Sequence, residues 1–280
     1  MRRQAVLGCL AGGIALAVLP ACSDLKPGED TGTAVFKLNQ LPANFACLDK
    51  PPAPPPPAPT APGFSYTGFV PDYRNPLISV KANVRSCSTT DAVCDPGIAQ
   101  GVPIPSPMPG YPDGFAVGLP ASPFQSYIRL VAPDYAPLDY YVKGPMIENV
   151  VATVPFSMVS ISSLGEFLAG LGADPMTASQ LGVLVMVVFD CNSDPAPNVQ
   201  LKLTTRQPAT DVIPWAIQDF IPVAGRPTDE RGIAGFVNVP LENVTVEALI
   251  DGRSFGSTSF PVLPGRLTGG TLRPAYDKAY

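Results

Sequence analysis

Proline limits what this chain can fold into more than any other residue, because 36 of its 280 residues are proline. A proline inside a helix removes a backbone donor and clashes with the preceding turn, so the chain cannot be mostly helical. Disorder throughout is also excluded, since 46% of the residues are hydrophobic and only 15% are charged. The sequence therefore predicts an all-β protein with many turns and some proline-rich connections.

The chain contains no histidine. This excludes Ser-His-Asp and Cys-His nucleophiles, histidine-ligated zinc and general base catalysis by imidazole. Paired carboxylates can hydrolyse glycosides without histidine, but the nearest pairs, Asp134 with Asp139 and Asp229 with Glu230, have no surrounding motif. We therefore predict a protein that is not an enzyme and that has no cofactor.

A calcium site is the metal site that the sequence comes nearest to encoding. Asp190, Asn192 and Asp194 place oxygen atoms at alternate positions, as the opening of a calcium loop does. The pattern then fails, because Pro195 stands at the position of the loop glycine and Leu201 at that of the bidentate glutamate. A hairpin turn rich in Asn and Asp accounts for the same residues, so no metal site is predicted.

The N-terminus carries an export signal. Two arginines precede an uncharged stretch over residues 5–19, which is typical of a secretory signal and too short to span a bilayer comfortably. The sequence Leu19-Pro20-Ala21-Cys22 resembles the lipobox of bacterial lipoproteins, which implies removal of residues 1–21 and lipidation of Cys22. The alternative is an ordinary secretory signal cut near Ala21.

Charge and anchoring together predict the location of the mature protein. Loss of Arg2 and Arg3 with the signal changes the net charge from −5 to −7, which argues against nucleic acid as a partner. No second apolar run reaches membrane-spanning length. We expect the membrane to be a partner only through the N-terminal lipid anchor. Ser23 after the cysteine favours the outer membrane of the bacterial cell envelope.

Four cysteines remain when the signal cysteine and the lipidated cysteine are set aside. An even number in an exported protein predicts two disulfides, with three possible pairings. Cys87 and Cys94 bracket a polar, turn-forming segment, so a bridge across it is sterically easy and leaves Cys47 to pair with Cys191. The alternative is Cys47–Cys87 with Cys94–Cys191.

Alternation of apolar and polar residues predicts strands along most of the chain. They cover residues 77–85, 115–119, 127–131, 139–142, 150–154, 182–190, 198–204, 236–240 and 244–250, and two short strands follow the Asp251-Gly252 turn. Their spacing is typical of β-sandwiches. Residues 51–62 hold eight prolines and are predicted to be a stiff spacer, whereas residues 103–112 are predicted to be a surface loop.

One helix is predicted between the two groups of strands. Ser163 and Glu166 have the spacing of a capping box, and an apolar stripe includes Phe167 and Leu168. Glycines at positions 170 and 172 are expected to end the helix. Its predicted task is to pack one group of strands against the other.

Residues 181–275 resemble a carboxypeptidase regulatory-like domain, a transthyretin-like β-sandwich. The matching elements are Gly182-Val183, Pro197-Asn198-Val199-Gln200-Leu201, Thr228-Asp229, Gly232, Phe236, Val239-Pro240 and Val244-Thr245-Val246-Glu247-Ala248. Residues 76–156 resemble a divergent second copy. The whole plan resembles surface lipoproteins of myxobacterial type, and it implies two transthyretin-like (prealbumin-like) β-sandwiches in tandem with one short linking helix and no peptidase chemistry.

The predicted organisation follows from these segments: a lipoprotein signal peptide (1–21), a tether (22–63) with the proline-rich segment (51–62), a divergent sandwich (64–157), a helical linker (158–180) and a regulatory-like sandwich (181–280). The predicted function is that of a membrane-tethered, non-catalytic surface or periplasmic lipoprotein. It would act as a structural or protein-interaction module on an unknown envelope protein or glycan.

Carbohydrate binding by loop aromatic residues is the alternative function, with Trp215 as the candidate ligand contact. Isoleucines at positions 213, 217 and 221 surround Trp215 and Phe220. An apolar neighbourhood of this kind favours packing inside the protein over contact with a sugar.

Overall fold

The computed structural model describes residues 43–49, 63–106, 113–120, 126–142, 149–152, 155–174, 180–206, 208–209 and 211–274. The predicted signal peptide, Cys22, the tether up to residue 42 and the proline-rich segment 51–62 lie outside the described residues.

Within these ranges the chain forms sixteen strands, one α-helix and one short 3₁₀ helix. The helices are the 3₁₀ helix Ala46–Asp49 and α1 (Ile161–Gly170). The strands of the first half are β1 (Gly63–Phe69), β2 (Asn83–Ser88), β3 (Ala99–Gln100), β4 (Val102–Ile104), β5 (Gly114–Pro120), β6 (Ser126–Val131), β7 (Leu138–Tyr141) and β8 (Val150–Val151). Those of the second half are β9 (Gly182–Val188), β10 (Gln200–Thr204), β11 (Ile213–Gln218), β12 (Ile221–Ala224), β13 (Ile233–Val239), β14 (Asn243–Ile250), β15 (Arg253–Pro261) and β16 (Leu267–Leu272).

A nine-stranded sheet, the central sheet, runs through both halves in the order β12-β11-β13-β9-β16-β7-β6-β2-β3. The last strand, β16, joins the halves because it pairs in parallel with β9 on one side and with β7 on the other. All six of its residues are buried. A Cβ atom at Gly270 would lie 2.6 Å from the ring of Phe260, so glycine is needed where that ring crosses the strand.

Each face of the central sheet is covered by a different layer. β9 lies in the middle of the sheet and sends Val183 into the core of one face and Leu184 and Met186 into the core of the other. The four-stranded sheet β4-β5-β1-β8 and α1 cover the first face, and the three-stranded sheet β10-β14-β15 covers the second. Because β9 is buried on both sides, its sequence is an unbroken apolar run rather than an alternating one.

The all-β class, the sandwich packing and the linking α-helix are confirmed. The two sandwiches differ from a simple tandem in that they share the central sheet and lie on its opposite faces. The predicted boundaries at residues 157 and 181 therefore fall between halves that are hydrogen-bonded to each other through β16.

Two local predictions in the first half are wrong. The strand predicted over residues 77–85 begins only at Asn83, because a turn closed by the Ile78 N–H on the Asn75 carbonyl precedes it. The proline-rich stretch 103–112 is not only a loop, since its first two residues belong to β4, which pairs with β5.

The start of α1 also differs from the prediction. Its N-cap is Ser160, whose hydroxyl accepts a hydrogen bond from the Ser163 N–H at 3.2 Å. Ser163 itself lies buried in the first turn, and Glu166 pairs with Arg74. The predicted end at Gly170 is confirmed.

Candidate functional site

One end of the central sheet collects the features that bear on function. At this end β9 stops and β13 begins, because the two strands are antiparallel. β11 is antiparallel to β13, so β11 also stops at this end and β12 begins there. We name this end, with the segment Ala43–Asp49, the loop Asp190–Asp194 and the turn Asp219–Phe220, the tether end.

The segment Ala43–Asp49 is fastened to the tether end by a disulfide and by polar contacts. Cys47 is bonded to Cys191, with 5.8 Å between the Cα atoms. The Asn44 N–H donates to the Asp190 carboxylate at 2.7 Å, and the Asn44 side-chain amide donates to Asn192 Oδ1 at 2.9 Å. The segment Ala43–Asp49 therefore joins the rest of the protein at the end of β9, an interior strand of the central sheet.

The other side of this segment rests on the β14–β15 hairpin. Arg253 donates to the Asp49 carboxylate and to the Leu48 carbonyl, both at 2.8 Å. The rings of Phe45 and Phe255 lie 5.4 Å apart, and Leu48 is buried. Apolar packing and ion pairing thus hold the segment beside the disulfide.

Asp190 explains the pattern that resembled a calcium loop. Its buried carboxylate accepts hydrogen bonds from the backbone N–H groups of Asn44, Asn192 and Asp194 at 2.7, 2.8 and 3.0 Å. Backbone donors thus occupy the oxygen atoms that a cation would need. No group of three or more metal-ligating side chains occurs among the described residues.

The second disulfide, Cys87–Cys94, closes a short loop against a buried ion pair. Arg129 donates to both oxygen atoms of Asp139 at 2.7 and 2.8 Å, and both side chains are buried. Arg129 also donates to the Tyr127 hydroxyl at 2.7 Å. The structure contains the disulfides Cys47–Cys191 and Cys87–Cys94, so the predicted pairing is confirmed and the alternative pairing is not formed.

The disulfide loop supplies the remaining acceptors of this ion pair. Arg129 donates to the backbone carbonyls of Ala92 and Val93, and Arg266 donates to Ala92 at 2.9 Å and to Asp139 at 3.3 Å. Burial lowers the pKa of Arg129, but the hydrogen bond and the charge of Asp139 raise it by more. Asp139 therefore serves as a structural counter-ion, rather than as half of a catalytic pair with Asp134.

Two tyrosines beside the ion pair are held neutral. The rings of Tyr127 and Tyr141 stack with centroids 5.0 Å apart. Burial, with the nearby charge of Asp139, raises the pKa of both phenols above the ordinary value of 10. Both groups therefore remain uncharged through the neutral range.

Trp215 lies in the core. Only 3% of its surface is exposed, and its ring meets that of Phe167 of α1 edge-on with centroids 4.9 Å apart. The opposite residue on β13 is Gly235, where a Cβ atom would lie 2.8 Å from the indole. Trp215 packs the helix onto the central sheet, and its face is not presented to a sugar.

Phe220 is the aromatic residue that the structure places at the surface instead. It is 61% exposed at the tip of the β11–β12 hairpin. The guanidinium carbon of Arg231 lies 3.5 Å from the centroid of its ring. Arg231 is held in turn by Asp229, with Glu230 at 3.3 Å, so these two carboxylates are paired with a cation.

Two of these arrangements have a signal in the sequence, given by hairpin pairing. Arg129 and Asp139 stand directly opposite each other once 127–131 and 139–142 are paired as a hairpin. Similarly, Asp219 and Phe220 are the only residues between two strands, which places both at a hairpin tip.

None of the helices in the described part of the chain is long and apolar enough to cross a membrane. No protein-family model and no curated protein sequence matches the chain. The resemblance to carboxypeptidase regulatory-like domains therefore stays a prediction.

Comparison with solved structures gives distant likenesses to bacterial proteins. They include the Bacillus anthracis TIE protein (TM-score 0.24, covering 77% of this chain and 34% of that one) and a streptococcal ancillary pilin (0.25, 76% and 68%). A third is the shaft pilin SpaA from Lactobacillus rhamnosus GG (0.21, 77% and 98%). Sequence identity is 10% in each case. The chain spans about a third of the length of the TIE protein. At TM-scores this low, the likeness carries no conclusion about this chain.

Proposed function

We propose that this protein is a non-catalytic module of the bacterial cell envelope, tethered through its N-terminus and acting through structural or protein contacts. The observation that carries the proposal is the fastening of Ala43–Asp49 to the tether end by a disulfide and several polar contacts. A tether that is bonded covalently to the loop after β9 transmits load to an interior strand of the central sheet. Lipidation of Cys22 at the outer membrane would supply the other end of the tether.

The chemistry of the described residues supports a non-catalytic role. In each candidate pair of carboxylates at least one member is bound to arginine: Asp139 to Arg129 and Arg266, and both Asp229 and Glu230 to Arg231. A carboxylate whose oxygen atoms are committed in this way is a poor general base.

The fastening also changes the role proposed for the proline-rich segment. Residues 51–62 connect Asp49, which is held at the tether end, to Gly63 at the start of β1. Along the chain, this segment therefore comes after the fastened segment Ala43–Asp49 and is not part of the stretch between Cys22 and Ala43. The tether proper runs from Cys22 to Ala43, about 21 residues, and spans at most about 75 Å.

We propose an envelope protein as the partner rather than a glycan, because burial of Trp215 removes the aromatic face on which carbohydrate binding was predicted. Cross-linking in intact cells followed by affinity purification tests this, in parallel with a glycan array. We expect one saturable protein cross-link that survives in a Trp215→Phe variant that remains folded. Saturable glycan binding by the folded protein would contradict the proposal, as would hydrolysis abolished by Asp229→Asn.

A further inference from the structure

The turn between β11 and β12 exposes two neighbouring apolar side chains. Phe220 is 61% exposed and Ile221 is 45% exposed. The guanidinium of Arg231 lies over one face of the Phe220 ring, and most of the residue is still exposed. We name Asp219–Ile221 the Phe220 turn.

The backbone of this turn favours glycine, not phenylalanine. Asp219 has φ of 50° and Phe220 has φ of 68°, which is the left-handed region at both central residues of a two-residue hairpin. The favoured residues there are Asn, Asp and Gly, and a bulky residue at positive φ is strained. Stacking on Arg231 is an intramolecular contact of the ring, but it leaves most of the phenylalanine exposed at a strained position. Strain of this kind is typical of functional sites.

The position of the Phe220 turn relates it to the tether. It lies at the same end of the central sheet as Cys191, to which the N-terminal segment is bonded. Because the proposed tether joins the body at this end, the anchor holds the Phe220 turn closer to the bilayer, on average, than the opposite end of the central sheet. The length available between Cys22 and Ala43 keeps it within at most about 75 Å of the bilayer.

We infer that the Phe220 turn makes a second contact with the membrane, in which Phe220 and Ile221 enter the interface of a zwitterionic bilayer. This inference rests on the proposed N-terminal tethering. Aromatic and aliphatic side chains partition into the boundary between headgroups and acyl chains. Two side chains bind weakly, but a short tether holds them at an effective concentration of about millimolar, at which a weak contact is populated.

The charges around the Phe220 turn select the kind of lipid. Asp219 and Glu230 are exposed next to it, and the single cation Arg231 is shared between Asp229 and Glu230, so three carboxylates surround the ring with one guanidinium. The surface that surrounds the ring is therefore acidic and is repelled by anionic headgroups. Zwitterionic headgroups carry no such penalty.

A fluorescence experiment with three proteins tests the contact. The mature chain carries an N-terminal polyhistidine tag in place of Cys22 and is bound to phosphatidylcholine vesicles that contain a nickel-chelating lipid and brominated acyl chains. The proteins are the wild type, Phe220→Trp and Leu241→Trp. Leu241 is a matched control, because it is 42% exposed and follows β13 at the opposite end of the central sheet. The wild type reports Trp215 alone, which is buried.

We expect tethering to shift the added emission of Phe220→Trp to shorter wavelength and to quench it at least twofold more than that of Leu241→Trp. Emission of the wild type should not change, and release with imidazole should reverse the effect. Equal quenching of the two variants, or no quenching of Phe220→Trp in protein that sediments with the vesicles, would overturn the inference. An emission change of Phe220→Trp caused by soluble glycans, without quenching by lipid, would also overturn it.

The tag makes this result independent of acylation in the cell. Failure of Cys22 to be lipidated would defeat the proposed function and leave the vesicle result standing. A Phe220→Gly variant checks that the ring is not there for folding. We expect its unfolding midpoint to equal or exceed that of the wild type. A marked loss of stability in this variant would assign the ring to packing on Arg231 and would contradict the inference.

Discussion

Removal of the Cys47–Cys191 bridge by replacing both residues with serine should destabilise the protein strongly. The bridge joins residues 144 positions apart, and the loop-closure entropy that such a link removes from the unfolded chain is worth about 5 kcal/mol. Cys87 and Cys94 are only 7 positions apart, so the same relation gives about 2.4 kcal/mol for that bridge. The difference between the two expected losses of stability follows from the lengths of the two loops alone.

Urea denaturation of the wild type and the two double-serine variants measures these losses as differences in unfolding free energy. Limited proteolysis near Asp49 gives a local readout, because without the bridge the segment is held only by contacts such as those of Asn44 and Arg253. We expect early cleavage there in the Cys47/Cys191 variant alone. A loss below about 2.4 kcal/mol for the long loop, with unchanged resistance to cleavage, would refute the reasoning.

Three further results are expected. Arg129→Met should cost about 3–5 kcal/mol in unfolding free energy, because it leaves the buried Asp139 without its main counter-ion. Adding Asp139→Leu should restore part of this loss, and no recovery in the double variant would contradict the assignment. Burial raises the pKa of Tyr141, so the folded protein keeps a proton that the unfolded chain releases above pH 10, and stability should fall as the pH rises past 10. Urea titrations at pH 8 and 11 should show a smaller fall for Tyr141→Phe, and an equal fall would argue against the assignment. Phe167→Ala should cost about 3–5 kcal/mol and shift the emission of Trp215, the one tryptophan in the chain, to longer wavelength; an unshifted spectrum would contradict their packing.

Local features of the fold could be predicted from the sequence. The apolar run of β9 and the alternation in β10 and β14 identify strands without knowledge of their partners. Both disulfides follow from the even number of cysteines and the short loop between Cys87 and Cys94. These features depend on residues close together in sequence or on simple counting.

Long-range pairing could not be predicted. The six residues of β16 read as one more short strand, and nothing in Gly269-Gly270 indicates that parallel partners on both sides would join the two halves. The isoleucines around Trp215 and Phe220 favour burial of both residues, which is right for Trp215 and wrong for Phe220. The exposure of Phe220 follows from its place at the tip of the β11–β12 hairpin, which was not predicted from the sequence.

The central claim is that the protein is tethered by its N-terminus, and metabolic labelling with palmitate tests it most directly. The wild type, Cys22→Ser and the matched control Ser23→Ala are expressed in a bacterium that processes lipoproteins, and the label in the purified chain is measured. The account predicts label in the wild type and in Ser23→Ala, and none in Cys22→Ser. An unlabelled wild type, recovered as a free soluble chain cut near Ala21, would contradict it.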